Sequence, residues 1–189
     1  YPERTAEAQA LMRAAGFGPS KRLRTTFMIR STSMGSGRAM AAAIQQMLGT
    51  VYIDVSIIPN DAAIFYDMVQ EHDFDLAEAG WIADFNDATN FLDLLRTGNG
   101  NNYGGYSNPA YDAMLDAAQN DPDIVSRGRK LANAEAIALK DQAWIPLFFG
   151  VSGDLAWPYV KGWVPNPVDF HRTRWISIDE KARKARFPN

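Results

Sequence analysis

The sequence predicts an α/β fold built on a largely parallel sheet flanked by helices. Three runs with strand character, residues 23–30, 51–58 and 74–82, alternate with two segments of helical period. The intervals between the runs are too long for hairpins, so each is a crossover and the strands it joins run parallel. With 189 residues the chain is long enough to bury a core of its own.

The elements follow in order. Over residues 3–15, Ala8, Leu11, Met12 and Ala15 recur at helical spacing, and Gly16 with Gly18 supplies a left-handed stop. "LRTTFMIR" is β-branched and aromatic, and "STSMGSGR" turns it into the helix "AMAAAIQQML". "VYIDVSII" alternates as a second strand; Pro59, Asn60 and Asp61 then open a helix through Gln70, with Ile64, Phe65, Met68 and Val69 on its apolar side. "FDLAEAGWI" is the third strand, "ATNFLDLLRT" a short helix, and "GNGNNYGGYSNP" a loop. Asn108 before Pro109, and Asp121 before Pro122, read as N-cap and first-turn pairs for two helices, the second running to about Ala143. So short a link sets them antiparallel. "WIPLFFGVS", 144–152, reads as an apolar strand, the stretch from 155 to 175 is rich in proline and tryptophan without clear period, and "DEKARKARFPN" reads as a frayed polar tail.

Composition excludes several functions. Nineteen basic residues stand against 22 acidic ones, for a net charge of -3, too weak a field for nucleic acid or an anionic membrane. No run approaches the ~20 apolar residues of a transmembrane helix, and "YPERTAEAQA" lacks the apolar core and cleavage site of a signal peptide, so a soluble chain is expected. The absence of cysteine removes disulfides, thiolate metal sites and a cysteine nucleophile. His72 and His171, about a hundred residues apart, give little support to a histidine metal site, and His72 reads as a surface residue after a helix.

The densest polar chemistry is "AGWIADFNDATNFLD", 79–93, placed after the third strand at the carboxyl edge of the sheet, where ligands of open α/β folds gather. Asp84 and Asp87 are the residue types of a hydrolase's acid–base pair. Asp87 and Thr89 also sit where a helix begins, as a cap or first-turn acid. Trp81 either stacks on a ligand or fills the core. Asn101, Asn102, Tyr103 and Tyr106 are either a polar lid or a solvated loop. "STSMGSGR" enters a helix as an anion-binding turn would, but lacks the lysine and spacing of a phosphate loop. Trp157, Trp163 and Trp175 read as packing or as a partner surface, which leaves open a purely interacting domain.

Taken together, "AEAQALMRAAGF", "AAAIQQML" with "IDVSI", "FDLAEAGWIADFNDATNFLDLL", "NNYGGYSNPAYDAMLDAA" and "IPLFF" make the chain resemble the C-terminal part of bacterial extracytoplasmic solute-binding proteins of the peptide and oligopeptide type. The resemblance covers residues 3–152 and extends loosely to Trp175. It departs at "LGTVYIDV", where a Gly-Ile entry is usual, and nothing corresponds to the first half of the family chain or its export signal. It implies one lobe of a type II periplasmic-binding-protein fold over 1–152, with 153–189 as a return segment toward the other, N-terminal lobe and a tail. It also implies that Gly80, Trp81 and Ile82 pair by backbone with an extended peptide or peptide-like ligand while Asp84 receives its α-ammonium group. Asn101, Asn102 and Tyr103 would border the cleft. No catalytic residue, metal or cofactor is implied. The implied partners are the ligand, an ABC-transporter permease and the N-terminal lobe, and the implied location is periplasmic or otherwise extracytoplasmic. Without that lobe, weak ligand binding is expected.

Overall fold

In the computed structural model of the chain, β1 (Leu23–Arg30) lies between β2 (Ile53–Asn60) and β3 (Leu76–Ala77) in a parallel three-stranded sheet. Residues 2–31, 36–151, 153–166 and 168–187 are described; half of the "STSMGSGR" turn, residues 32–35, lies outside them. The chain divides into two units, Tyr1–Gly80 with Gly98–Tyr106 and Trp81–Thr97 with Ser107–Asn189.

The first unit is organised by β1. Because β1 is the central strand, both of its faces are covered, and Phe27, Met28 and Ile29 are all buried instead of alternating. Phe27 and Ile29 pack on one face with Ala41 of α2 (Ser36–Gly49) and Val55 of β2. Met28 packs on the other with Phe65 and Val69 of α3 (Ala62–Gln70). The α/β class with a parallel sheet and flanking helices is therefore as the sequence predicts. α1 (Pro2–Ala14) ends at Gly16, whose φ of +85° suits a residue without Cβ. None of its residues is buried, and Leu11 is 66% exposed.

Two strand boundaries differ from expectation. β2 begins at Ile53 and continues through Pro59 and Asn60, which do not open the helix; Asp61 alone caps α3, accepting from the Ala63 N–H at 3.0 Å. Pro59 is tolerated because β2 is an edge strand with one side free of ladder bonds. The third strand pairs over Leu76–Ala77 only, not 74–82. Carboxylates bracket it. Asp75 Oδ2 accepts from Thr26 N at 2.8 Å and Oγ1 at 2.9 Å, and Glu78 Oε1 accepts from Arg30 N at 2.7 Å. Side chains thus take the β1 N–H groups that a longer β3 would have used.

The second unit is mostly helical. α4 (Thr89–Leu92) runs into a 3-10 turn at Asp93–Leu95, and α5 (Pro109–Gln119) packs against α6 (Ile124–Lys140). Asn108 caps α5 as expected, accepting from Ala110 N and Tyr111 N. The cap of α6 is Asp123 rather than Asp121, and α6 ends at Lys140, short of Ala143. Asp121 instead accepts from Asp123 N and Lys130 Nζ; the lysine holds its carboxyl down at about 2. Tyr111, fully buried, donates its hydroxyl to the Leu92 carbonyl.

Of the strand expected over 144–152, residue 152 lies outside the described residues, and the rest does not form. Residues 144–151 carry no regular structure, and Phe149 is 98% exposed. Apolar content cannot make a strand without a neighbour to complete the ladder. Further on, β4 (Val160–Lys161) pairs antiparallel with β5 (Ser177–Ile178). Gly162, at φ +82°, lies where a Cβ would fall 1.8 Å from the Trp175 carbonyl oxygen. Over its described residues, to 187, the tail is not frayed: Asp179 caps α7 (Glu180–Arg186), and Phe187 packs edge-on against Trp157.

Ile29→Ala should lower stability by about 2–5 kcal/mol in urea unfolding, because it opens a cavity at a strand packed on both faces. Leu11→Ala, on exposed α1, should stay within about 0.5 kcal/mol of the parent.

Candidate functional site

Residues 81–88 of the second unit form no ladder and lead into α4. The side chain that organises them is Asn90, in the first turn of α4 and only 7% exposed. Its Oδ1 accepts from the Trp81 indole Nε1 at 2.8 Å and from the Asp84 backbone N at 3.1 Å. Both partners are pure donors, so the atom they share must be the amide oxygen. Nδ2 therefore faces Asp84 Oδ2, at 3.5 Å. Trp81 keeps 38% of its surface exposed and Ile82 74%. Asp84 is exposed, and among the described residues of its unit it forms no ion pair.

Asp87 has a different environment. Its Oδ1 accepts from Thr89 N at 2.9 Å and Thr89 Oγ1 at 2.7 Å, closing the turn into α4. Arg127 of α6 grips the same carboxylate with two nitrogens at 2.8 and 2.9 Å. The Arg127 guanidinium, and after it the Thr89 bonds, hold the Asp87 carboxyl far below the usual carboxylate range. A carboxylate so held is no reservoir for a catalytic proton near neutrality. The helix-start reading of Asp87 holds in part: its carboxylate accepts from the Thr89 N–H, but the N-cap position of α4 is Ala88, one residue on; the hydrolase alternative with Asp84 and Asp87 finds no support.

The remaining expected site residues belong to the first unit. Gly80 is exposed, and a Cβ there would meet no neighbouring atom. Asn101 is exposed and receives the Tyr103 hydroxyl at 3.3 Å. Asn102 is buried, with its amide committed to the loop: it accepts from Tyr106 N at 3.1 Å and donates to Tyr106 O at 2.7 Å. Tyr103 packs on the cluster around Met28, and its carbonyl lies 2.7 Å from His72 Nδ1. Exposed His72, just past α3, holds φ +59°.

Asn90 and Arg127 escape the sequence reading. The one hint of Asn90 is a polar residue within the apolar "NFLDLL". Arg127 lies 40 residues from Asp87, and no local pattern joins them. In the C-terminal segment, Trp163 stacks on His171 at 3.7 Å, and His171 Nε2 lies 3.0 Å from Asp169 Oδ1. Exposed Asp154 stands close to both.

Comparison with known proteins gives a family. Residues 1–103 match the model for "Bacterial extracellular solute-binding proteins, family 5 Middle". The periplasmic murein peptide-binding protein MppA of Escherichia coli is 29% identical over 177 residues, covering 92% of this chain and 33% of that protein. The periplasmic oligopeptide-binding protein OppA of Haemophilus influenzae is 32% identical over 162 residues, 85% of this chain and 30% of its own length. Among solved structures, the E. coli murein tripeptide binding protein MppA superposes with a TM-score of 0.84 at 28% identity, over 94% of this chain and 35% of that one. H. influenzae OppA in complex with RPPGFSPFR superposes at 0.81 and 30% identity, over 93% and 35% of the two chains. This chain thus spans about a third of the length of the curated relatives it matches.

Arg127→Met keeps the aliphatic stem and removes the charge. Asp87 has a lowered folded-state pKa, so its contribution is complete above the ordinary carboxylate value of about 4 and is lost as pH falls below it. The variant should have a lower urea midpoint than the parent at pH 7, with the gap constant down to about pH 5 and narrowing below about pH 4. A gap independent of pH would assign the loss to packing of the stem.

Proposed function

The chain belongs to family 5 of the bacterial extracellular solute-binding proteins, and from that premise we propose that it is a ligand-binding lobe of a receptor for peptides or peptide-like solutes. Residues 1–152 form the lobe, and 153–189 return toward a second lobe. The receptor performs no chemistry on its ligand. It works outside the cytoplasmic membrane and delivers to an ABC-transporter permease, as expected for relatives that are periplasmic peptide-binding proteins.

One observation carries the reading: Asp84 is an exposed carboxylate that forms no ion pair among the described residues of its unit, next to backbone that no strand has claimed. Its neighbour Asp87 is neutralised by Arg127. A carboxylate left open in this way suits a ligand's ammonium group, through a charge-assisted bond. The unladdered backbone at Trp81 and Ile82 suits an extended peptide, because strand-like pairing satisfies any peptide backbone without reading its side chains. Together they select for a free amino terminus and are indifferent to sequence.

The apolar run after α6 fits the same reading. Phe149, Val151 and Leu155 are almost wholly exposed, a condition that a larger receptor relieves by covering them. A lone lobe also lacks half of the walls that bury a ligand, so its affinity should be weak, with Kd on the order of 1 mM, about -4 kcal/mol.

Such weak binding is measurable by NMR titration of the 189-residue chain with a tripeptide and with its N-acetylated twin. The free-amine peptide should shift the Trp81 and Asp84 signals and bind at least about tenfold more tightly than the acetylated one. Asp84→Ala should remove that preference, since it deletes the carboxylate that the free ammonium group pairs with. Equal affinity for the two peptides would refute the role of Asp84.

A further inference from the structure

We propose that Asn90 is the positioning residue of this site, holding the Trp81 ring and the Asp84 carboxylate as one preset recognition element for a ligand ammonium group. The inference rests on the role proposed above for Asp84 and adds what sets its geometry and its selectivity.

The reasoning starts from the bonds of a single buried amide. Asn90 is one of two buried polar or charged side chains among the described residues. A carbonyl oxygen offers two acceptor directions, and both are taken, one by the Trp81 indole at 2.8 Å and one by the Asp84 N–H at 3.1 Å. The two donors come from a segment that no sheet ladder holds, so this oxygen supplies order that regular structure does not. α4 supplies the rigidity: Leu92, two residues on, is buried, and α4 packs against α6.

Selectivity follows from what the amide leaves free. The Asp84 N–H is consumed internally, so this backbone group does not attract a ligand carboxylate. Nδ2 reaches Asp84 Oδ2 only at 3.5 Å, the long limit of a hydrogen bond, so the carboxylate keeps its accepting capacity. With the Asp84 N–H withdrawn and its carboxylate left accepting, the element favours a cation over an anion. Recognition by an element held in advance costs less ordering on binding than recognition by a mobile loop.

The test uses the 189-residue chain with Asn90→Leu and Asn90→Asp. Leucine is apolar and of similar volume; aspartate keeps an oxygen for both donors. The Trp81 indole N–H, assigned by its absence in Trp81→Phe, reports the bond through its slowed exchange with solvent. The titration with the tripeptide and its N-acetyl twin reports the function. Asn90→Leu should speed indole exchange at least tenfold and cut the preference for the free amine by about tenfold, while Asn90→Asp restores slow exchange and the preference. Unchanged exchange in Asn90→Leu would refute the geometry. Fast exchange with the preference intact would refute the positioning role, as would loss of the preference in both variants. Should Asn90→Leu fail to fold, a folded Asn90→Asp with fast indole exchange is equally refuting. Failure of the reading of Asp84 looks different: the parent itself would then show no preference, whatever the Asn90 variants do to indole exchange.

Discussion

Backbone N–H groups that lose their ladder partners must be satisfied by something else, and much of the local architecture follows from how this chain meets that requirement. Asp75 takes the Thr26 N–H and Glu78 the Arg30 N–H at the two ends of the short β3. In the second unit Asn90 takes that of Asp84 and Asp87 that of Thr89. Three of these bonds lie at the end or start of an element, and the Asn90 bond fixes the irregular segment between two of them. Together they explain why the third strand is two residues long, and how 81–88 has a defined course without regular structure.

The acidic residues divide by what neutralises them. Asp87 and Asp121 are gripped by Arg127 and Lys130, and Asp75 is bonded to Thr26 through the backbone N–H and the hydroxyl, so all three are held below the ordinary carboxylate range. These are structural carboxylates, and their cost of ordering is offset within the fold. Asp84 has an amide beside it and forms no ion pair among the described residues of its unit. The role proposed for Asp84 needs this division, because a binding carboxylate already paired with an internal cation would have to break that pair before it could accept a ligand.

The exposed apolar run at 144–155 belongs to a different level of organisation. Its side chains are of the kind that build cores, yet they lie in water with no strand beside them. The chain spans about a third of its curated relatives. The proposed reading as one lobe of a two-lobed receptor would cover such a run.

The α/β class, the buried middle strand, the Asn108 cap with Pro109 and the helix start near Asp87 are all legible in the residues, because each depends on spacing within a few positions. A continuous apolar run such as "FMI" marks a strand covered on both faces, and an Asn before a Pro marks a cap, whatever lies elsewhere. Strand ends were not legible. Whether β3 stops at Ala77 depends on Glu78 reaching Arg30, 48 residues away in sequence, and whether 144–152 is a strand depends on a neighbour that no local pattern names. The candidate site divides in the same way. "GWIAD" by itself points to a strand end with a carboxylate, while the pairing of Asp87 with Arg127 and the sharing of one Asn90 oxygen by Trp81 and Asp84 are contacts through space. Sequence determines propensity and local caps; only the tertiary structure decides which polar group satisfies which, because that choice is made by distance after folding.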